Sequence, residues 1–246
     1  MAKQNTQYWD TPESIERYAK MDFSLYDIEK VFIFRATELL KKRVDQISIL
    51  DLGCGGGRST IPLHNMGYKV EGIDIAENLI KELKKKNPSV KAIVGDAMDM
   101  PYKDRSFDIV LFSHNSLDCM YPYSARKRTL NEIDRVLKKK GFFIFSSHVF
   151  NFIPFDTHVF RNIVFNIHRV PTLLFKGEGF YREKMGTGDI VDLYAAHKDN
   201  IEKELKRNGL TLISHSRVIF NYNTLFETSL RSFLNWERYY LAKKGG

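Results

Sequence analysis

Ile47-Ser-Ile-Leu-Asp-Leu-Gly-Cys-Gly-Gly-Gly-Arg-Ser59 decides how the rest of the chain is read. Ile47, Ile49, Leu50 and Leu52 form the near-continuous apolar run of a strand covered on both faces, which is the environment a parallel sheet provides. Gly53, Gly55 and Gly57 then remove side chains where the backbone must turn sharply or approach a ligand. The stretch predicts strand, tight turn, helix.

Two phosphate-binding glycine loops are excluded by position. A G-x-G-x-x-G fingerprint from Gly53 needs glycine where Arg58 stands, and no Gly-Lys-Ser/Thr follows. Asp51, at the strand end, would repel a bound phosphate; it suits a ligand carrying an ammonium and a sulfonium. Downstream, Lys69-Val-Glu-Gly-Ile-Asp74 reads as a second strand, Val90 to Ala97 as a third ending Gly95-Asp96-Ala97, and Ser106-Phe-Asp-Ile-Val-Leu-Phe-Ser113 as a fourth.

Asp-Leu-Gly-Cys-Gly-Gly-Gly, followed by these three strand ends in order, resembles the motifs of class I S-adenosylmethionine-dependent methyltransferases of the small-molecule type. The resemblance implies an α/β fold: a Rossmann-like, seven-stranded, mostly parallel sheet with an antiparallel last strand and helices on both faces. It implies S-adenosyl-L-methionine as cofactor, S-adenosyl-L-homocysteine as product, and no metal. It assigns cofactor binding to Asp51, Gly53, Cys54, Gly55, Asp74, Ile75, Gly95, Asp96, Ala97 and Ser113. Asp74 stands where the family places the carboxylate that accepts both ribose hydroxyls, a charge-assisted bidentate contact. Gly95-Asp96-Ala97 is similar to the segment that meets the adenine amino group, and Ile75 to the apolar residue on the adenine face.

The four motifs leave both ends of the 246 residues to be explained, and one domain with elaborations is expected. Within the leading segment 1–46, residues 8–43 read as two helices, the first opening at Thr11-Pro12 with threonine as N-cap. In the family such helices form a lid. Tyr18 is then a candidate for the sulfonium side by cation–π attraction and Arg35 for the methionyl carboxylate; the alternatives are a lid-core tyrosine and a surface ion pair. The cofactor core is 47–149. Residues 150–196 are expected to be an α-rich insertion after strand five forming a substrate cap or an interface, and 197–246 complete the core.

Acceptor chemistry is sought at the ends of strands four and five. His114 and His148 are candidate general bases, with a solvated loop histidine and a structural hydrogen bond as the alternatives. Asp118 is a candidate to orient a base or a substrate amine. No Asn/Asp-Pro-Pro-Tyr/Phe segment follows strand four, which turns the reading from exocyclic amines of bases towards small O, N or C acceptors. Residues 150–194 hold seven of the eighteen phenylalanines together with several basic residues. That composition suits an acceptor with an apolar or planar body, with Phe150 and Tyr181 as candidate substrate contacts.

A net charge of +8 raises nucleic acid as a less favoured partner. Three basic runs, at 41–43, 84–86 and 138–140, are expected in last helical turns, where cations offset the macrodipole. Arg126-Lys127-Arg128 opens a helix instead and is a candidate basic patch. The two cysteines have no bridge or metal spacing, and there is no signal-like or membrane-length apolar run. A soluble cytoplasmic protein, monomer or homodimer, is expected.

Overall fold

The computed structural model describes residues 8–19, 23–149, 167–184, 190–217 and 237–245. Two leading helices, α1 (Pro12–Ala19) and α2 (Asp27–Leu40), precede an alternating core. The core runs β1 (Ser48–Leu52), α3 (Thr60–Asn65), β2 (Lys69–Asp74), α4 (Glu77–Lys86), β3 (Lys91–Val94), β4 (Phe107–Phe112), α5 (Tyr123–Val136) and β5 (Leu137–Val149). Then follow α6 (Val170–Lys176), β6 (Glu178–Lys184), β7 (Ile190–Ala196), α7 (Lys198–Arg207), β8 (Leu210–Arg217) and β9 (Glu237–Lys244).

β3, β2, β1, β4 and β5 are parallel neighbours in that order. β9 runs antiparallel to β5, and β8 antiparallel to β9. These seven strands are the expected sheet. Its faces are covered by two apolar layers. Leu50, Val110 and Phe143 point to one, with Leu130 and Ile133 of α5; Ile49, Ile109 and Ile144 point to the other, with Phe32 and Ile33 of α2. The strands therefore present alternate residues to two cores, as a doubly covered parallel sheet must.

The insertion contains a strand pair that the sequence did not announce. Among its described residues only α6 is helical, while β6 and β7 form an antiparallel hairpin. Val191, Leu193 and Ala195 alternate inward with Tyr181 from the facing strand, a period of two that suits a sheet rather than a helix. β7 pairs with β5 only at His148 and Val149. Since β9 also pairs with His148, β7 takes the other side of β5, which β4 vacates after Phe112. The hairpin thus sits beyond the end of β4.

The basic runs are also redistributed. Lys84–Lys86 do close α4. α5, however, ends at Val136, so Lys138–Lys140 open β5; Lys138 Nζ lies 2.8 Å from the buried Asp108 Oδ2, and Lys42 Nζ 2.6 Å from its Oδ1. No helix among the described residues is long and apolar enough to cross a membrane.

Candidate active site

One cleft lies at the carboxyl ends of β1, β2 and β4, where ligands of open α/β sheets gather. Its floor is the glycine turn. Gly53 N and Cys54 N donate to Ile73 O at 2.8 and 3.1 Å, tying the turn to β2. Gly55 N donates to Asp74 Oδ2 at 2.7 Å and Ala76 N to Asp74 Oδ1 at 2.8 Å. Asp74 is thereby aimed at the cleft, with further lone pairs on both oxygens. Burial raises its pKa, opposed by these backbone donors. Ile75, Gly95, Asp96 and Ala97 continue the same wall, and Asp96 Oδ1 is fixed by Met98 N at 2.8 Å.

The opposite rim is Ser113, His114 and Ser116, and beyond it the cleft turns apolar at Cys119, Met120, Tyr121 and Ala125. His114 and Asn115 hold φ of 55° and 56°, the left-handed region that non-glycine residues rarely occupy. The structure over-determines this bend: Asn115 N donates to Ser146 Oγ at 2.7 Å, and Ser116 N to Ser113 O at 3.2 Å. Such strain concentrates at functional sites.

Aromatic rings arch over the opening. Trp9 and Tyr18 lie 5.4 Å apart between centroids, and Tyr18 is 6.2 Å from the His114 ring. Tyr26 Oη is 3.4 Å from His114 Nδ1. Behind them is a buried polar cluster that sequence reasoning missed. Glu29 of α2 is bound by Arg58 (2.6 and 3.0 Å), by Tyr239 Oη (2.9 Å) and by Ser113 Oγ. Its Oε2 also accepts from Tyr26 N at 2.8 Å, three residues upstream. Arg58 stacks 4.2 Å over the Tyr26 ring. The one available signal was Glu29 at the third helical position, the acidic half of a capping box.

Several expected residues lie elsewhere. Among the described residues, the cleft wall includes Tyr18, Gly53, Cys54, Gly55, Asp74, Ile75, Gly95, Asp96, Ala97, Ser113 and His114, but not Arg35, Asp51, Asp118, His148 or Tyr181. Arg35 is exposed on the flank of α2, paired with Glu38 at 3.3 Å, just outside the buried arc formed by Glu29, Phe32, Ile33 and Ala36. Asp51 points beneath the glycine turn, where Ser59 Oγ and Thr60 Oγ1 donate to it at 2.7 and 2.6 Å. It braces the turn from below rather than meeting an ammonium, and burial lifts its pKa to about 6.

Asp118 is wholly buried, bound by Ser147 Oγ (2.7 Å), His148 N (2.6 Å) and Arg126 (3.1 Å). Arg126 is itself fully buried, joined to Glu204 and stacked 4.0 Å over Tyr194, so the supposed basic patch loses its first member to the core. Tyr181 packs with Tyr8, Cys119 and Leu193. His148 Nδ1 is 2.9 Å from Asp118 Oδ2. Burial alone would lower its pKa, but the bond and charge of Asp118, with Glu237 and Glu183, outweigh that and raise it. His148 is thereby engaged by Asp118 and does not line the cleft. Phe150 lies outside the described residues. Among the described residues, no group of three or more metal-type side chains is assembled.

Residues 50–145 match the model of a methyltransferase domain. Over 92% of its length the fold superposes on 99% of a SAM-dependent methyltransferase from Methanosarcina mazei, with a TM-score of 0.63 at 20% identity. Residues 50–145 are thus similar to a methyltransferase domain, and the fold as a whole is similar to that of SAM-dependent methyltransferases. An uncharacterised protein of Methanocaldococcus jannaschii is 27% identical over 94% of this chain and 90% of its own. A demethylmenaquinone methyltransferase of Renibacterium salmoninarum is 33% identical over 38% of this chain and 38% of its own length. This second likeness is confined to part of each chain, so what is common is the methyltransferase core and not its elaborations.

Proposed function

We propose that this methyltransferase core transfers a methyl group from S-adenosyl-L-methionine to a small acceptor with an apolar or planar body. The observation that carries the reading is one cleft whose near half is bare glycine backbone and carboxylates and whose far half is apolar. The near half fits the donor. Gly53 and Gly55 adopt φ of 69° and 51°, and a Cβ on Gly55 would meet only Leu79 at 3.8 Å, which leaves the backbone open on the cleft side. Asp74 would hold the ribose hydroxyls, Ile75 and Ala97 would flank the adenine, Asp96 would meet its amino group, and Tyr18 would face the sulfonium.

When bound, the donor supplies a methyl carbon that an acceptor lone pair takes as the carbon–sulfur bond breaks, leaving S-adenosyl-L-homocysteine. The protein's share is orientation and exclusion of water, and fixing two reactants can be worth about 7–11 kcal/mol. Trp9 and Tyr18 close the opening; Met120 and Tyr121 offer an apolar bed for the acceptor. His114, at the junction of the two halves, would take the proton from a hydroxyl or amine acceptor. The hairpin of β6 and β7, beside Cys119, would cap the acceptor end, and α1 and α2 would form the lid.

Demethylmenaquinone, the compound named for one relative, has an apolar planar body, in keeping with this bed. A nucleic-acid acceptor loses its particular support once Arg126 is placed in the core and Lys42 and Lys138 are bound to Asp108. Calorimetric titration with S-adenosylmethionine and S-adenosylhomocysteine tests the donor half. Micromolar binding is expected; absence of heat with both would sink the reading. An acceptor screen following S-adenosylhomocysteine release tests turnover.

A further inference from the structure

His114 and Asn115 share the left-handed bend in the cleft wall, and Asn115 fastens it. Its N–H donates to Ser146 Oγ at 2.7 Å, and its side-chain amide meets His148 Nε2 at 3.2 Å. Both partners belong to β5. The other ring nitrogen of His148, Nδ1, stands 2.9 Å from Asp118 Oδ2, and a carboxylate that can only accept places the ring's first proton there. The role of His148 turns on whether Nε2 carries a second.

The surroundings are short of donors, not of lone pairs. Asn115 Oδ1 and Glu237 Oε1 are sealed and have no hydrogen-bond partner among the described residues, and Glu237 lies across from His148 in the β5–β9 register. Positive charge is short as well. The groups facing the ring are Asp118 from the turn after β4, Glu183 and the Tyr181 ring from β6, Glu237 from β9, and Arg126 of α5 behind Asp118. Arg126 is shared with Glu204, so its charge does not offset all of these carboxylates. A neutral ring would accept from Asn115 Nδ2 and leave Oδ1 orphaned, at the cost of a buried polar atom. A half-turn of the amide exchanges its oxygen and nitrogen; a protonated Nε2 then donates to Oδ1, and the ring supplies the missing cation. In keeping with this, burial, which would lower the His148 pKa, is outweighed by Asp118, Glu237 and Glu183.

We propose that His148 is a positioning residue: as an imidazolium it binds the Asn115 amide oxygen and so holds the bend that sets His114 in the cleft wall. His148 itself stays out of the cleft and acts through Asn115. When the ring loses its Nε2 proton that bond goes, and the bend keeps only its fastening to Ser146. The task of His114 rests on the methyl-transfer reading, to which this latch adds a dependence on pH; the latch itself does not require that reading.

The test is a histidine NMR titration of the full chain, with the His148 signals assigned by their loss in His148→Gln. His148 should titrate with a midpoint above the ordinary 6.5. Asn115→Gly, which tolerates the left-handed φ, then decides the direction of the bond. Loss of an acceptor should lower the midpoint by about half a unit or more, whereas loss of a donor to a neutral ring would raise it. The Asn115 amide proton reports the bend: its exchange protection should fall about threefold or more as pH rises through the His148 midpoint, with no such step in His148→Gln. A midpoint at or below 6.5, a midpoint raised or unmoved in Asn115→Gly, or Asn115 protection that stays constant across the midpoint would each overturn the proposal. Should Asn115→Gly fail to fold, the midpoint and the protection step of the unmodified chain still decide. Absence of heat with S-adenosylhomocysteine would instead strike the methyl-transfer reading and the task given to His114, leaving the latch to be judged by the titration.

Discussion

Gly55 and Gly57 adopt φ of 51° and 94°, but an added methyl group would have opposite consequences at the two positions. On Gly57 it would stand 2.3 Å from Leu83 Cδ1, inside the α4 packing, whereas on Gly55 it would make only an ordinary 3.8 Å contact with Leu79 Cδ1 beside the cleft. Gly57→Ala should therefore lower unfolding free energy by about 2–4 kcal/mol, combining left-handed strain with overpacking. Gly55→Ala should cost about 1–2 kcal/mol of stability from backbone strain alone, yet weaken S-adenosylhomocysteine binding about tenfold or more. Denaturant melts and calorimetry on both variants separate these effects, and equal losses in both measurements would mean that Gly55 does not face the donor. Asp74→Asn offers a sharper case at the same rim. It keeps a carbonyl for only one of Gly55 N and Ala76 N, sets its NH2 against the other and removes the charge, so stability should fall by about 1–3 kcal/mol and affinity for the ribose-bearing product by about 1.5–3 kcal/mol. An unchanged dissociation constant would refute the ribose role.

Helix α2 shows how an element that reads as amphipathic becomes part of a polar site. Phe32, Ile33 and Ala36 give it an apolar face, but Glu29 on the same face is completely buried and reaches Arg58, Ser113 and Tyr239. One carboxylate thus joins the glycine turn, the end of β4 and β9 to the helix over the cleft. Removing one member of a buried ion pair leaves the other uncompensated, so Glu29→Ala should cost about 3–5 kcal/mol. Amide hydrogen exchange should show the protection of α2 falling more than that of β1; uniform loss would argue that the helix is held by its apolar face alone. The apolar positions of α2 were legible because period 3.6 repeats along the chain, and the arginine breaking that pattern drew attention to Arg35. Glu29 escaped because its partners lie 29, 84 and 210 positions away, and nothing local marks a carboxylate for such a meeting. The end of α5 escaped for a related reason. Lys138, Lys139 and Lys140 look like a last helical turn, but Asp108, on a strand neighbouring β5, draws Lys138 into the sheet.

At the scale of the whole molecule, the parallel sheet and the rim of strand-end residues were legible because strand order follows from alternation and ligand position follows from strand order. The hairpin of β6 and β7 was not, since its position depends on the space that β4 leaves beside the tip of β5. The amino-terminal ends of the same strands carry the clearest prediction about pH. Asp108, at the start of β4, is buried with Lys138 Nζ, Lys42 Nζ, Ser48 N and Ser48 Oγ all donating to it. Burial alone would raise its pKa, but these donors and charges outweigh it and bring the value from 3.8 down to about 2. A carboxyl whose folded pKa is depressed contributes stability that is complete above its unfolded value, and that stability is lost as pH falls through the folded value. The window is therefore about pH 4 to 2. At 1.36 kcal/mol per pKa unit the full contribution would be about 2.5 kcal/mol, which the partly exposed lysine head groups reduce to about 1–2 kcal/mol. Asp108→Asn cannot titrate, so the gap in unfolding free energy between it and the unmodified chain should narrow by that amount between pH 5 and about pH 2. Urea melts at both pH values measure the gap. One that stays constant would show that Lys42 and Lys138 hold Asp108 no more tightly than water does, and that the two strands are joined at this end by packing alone.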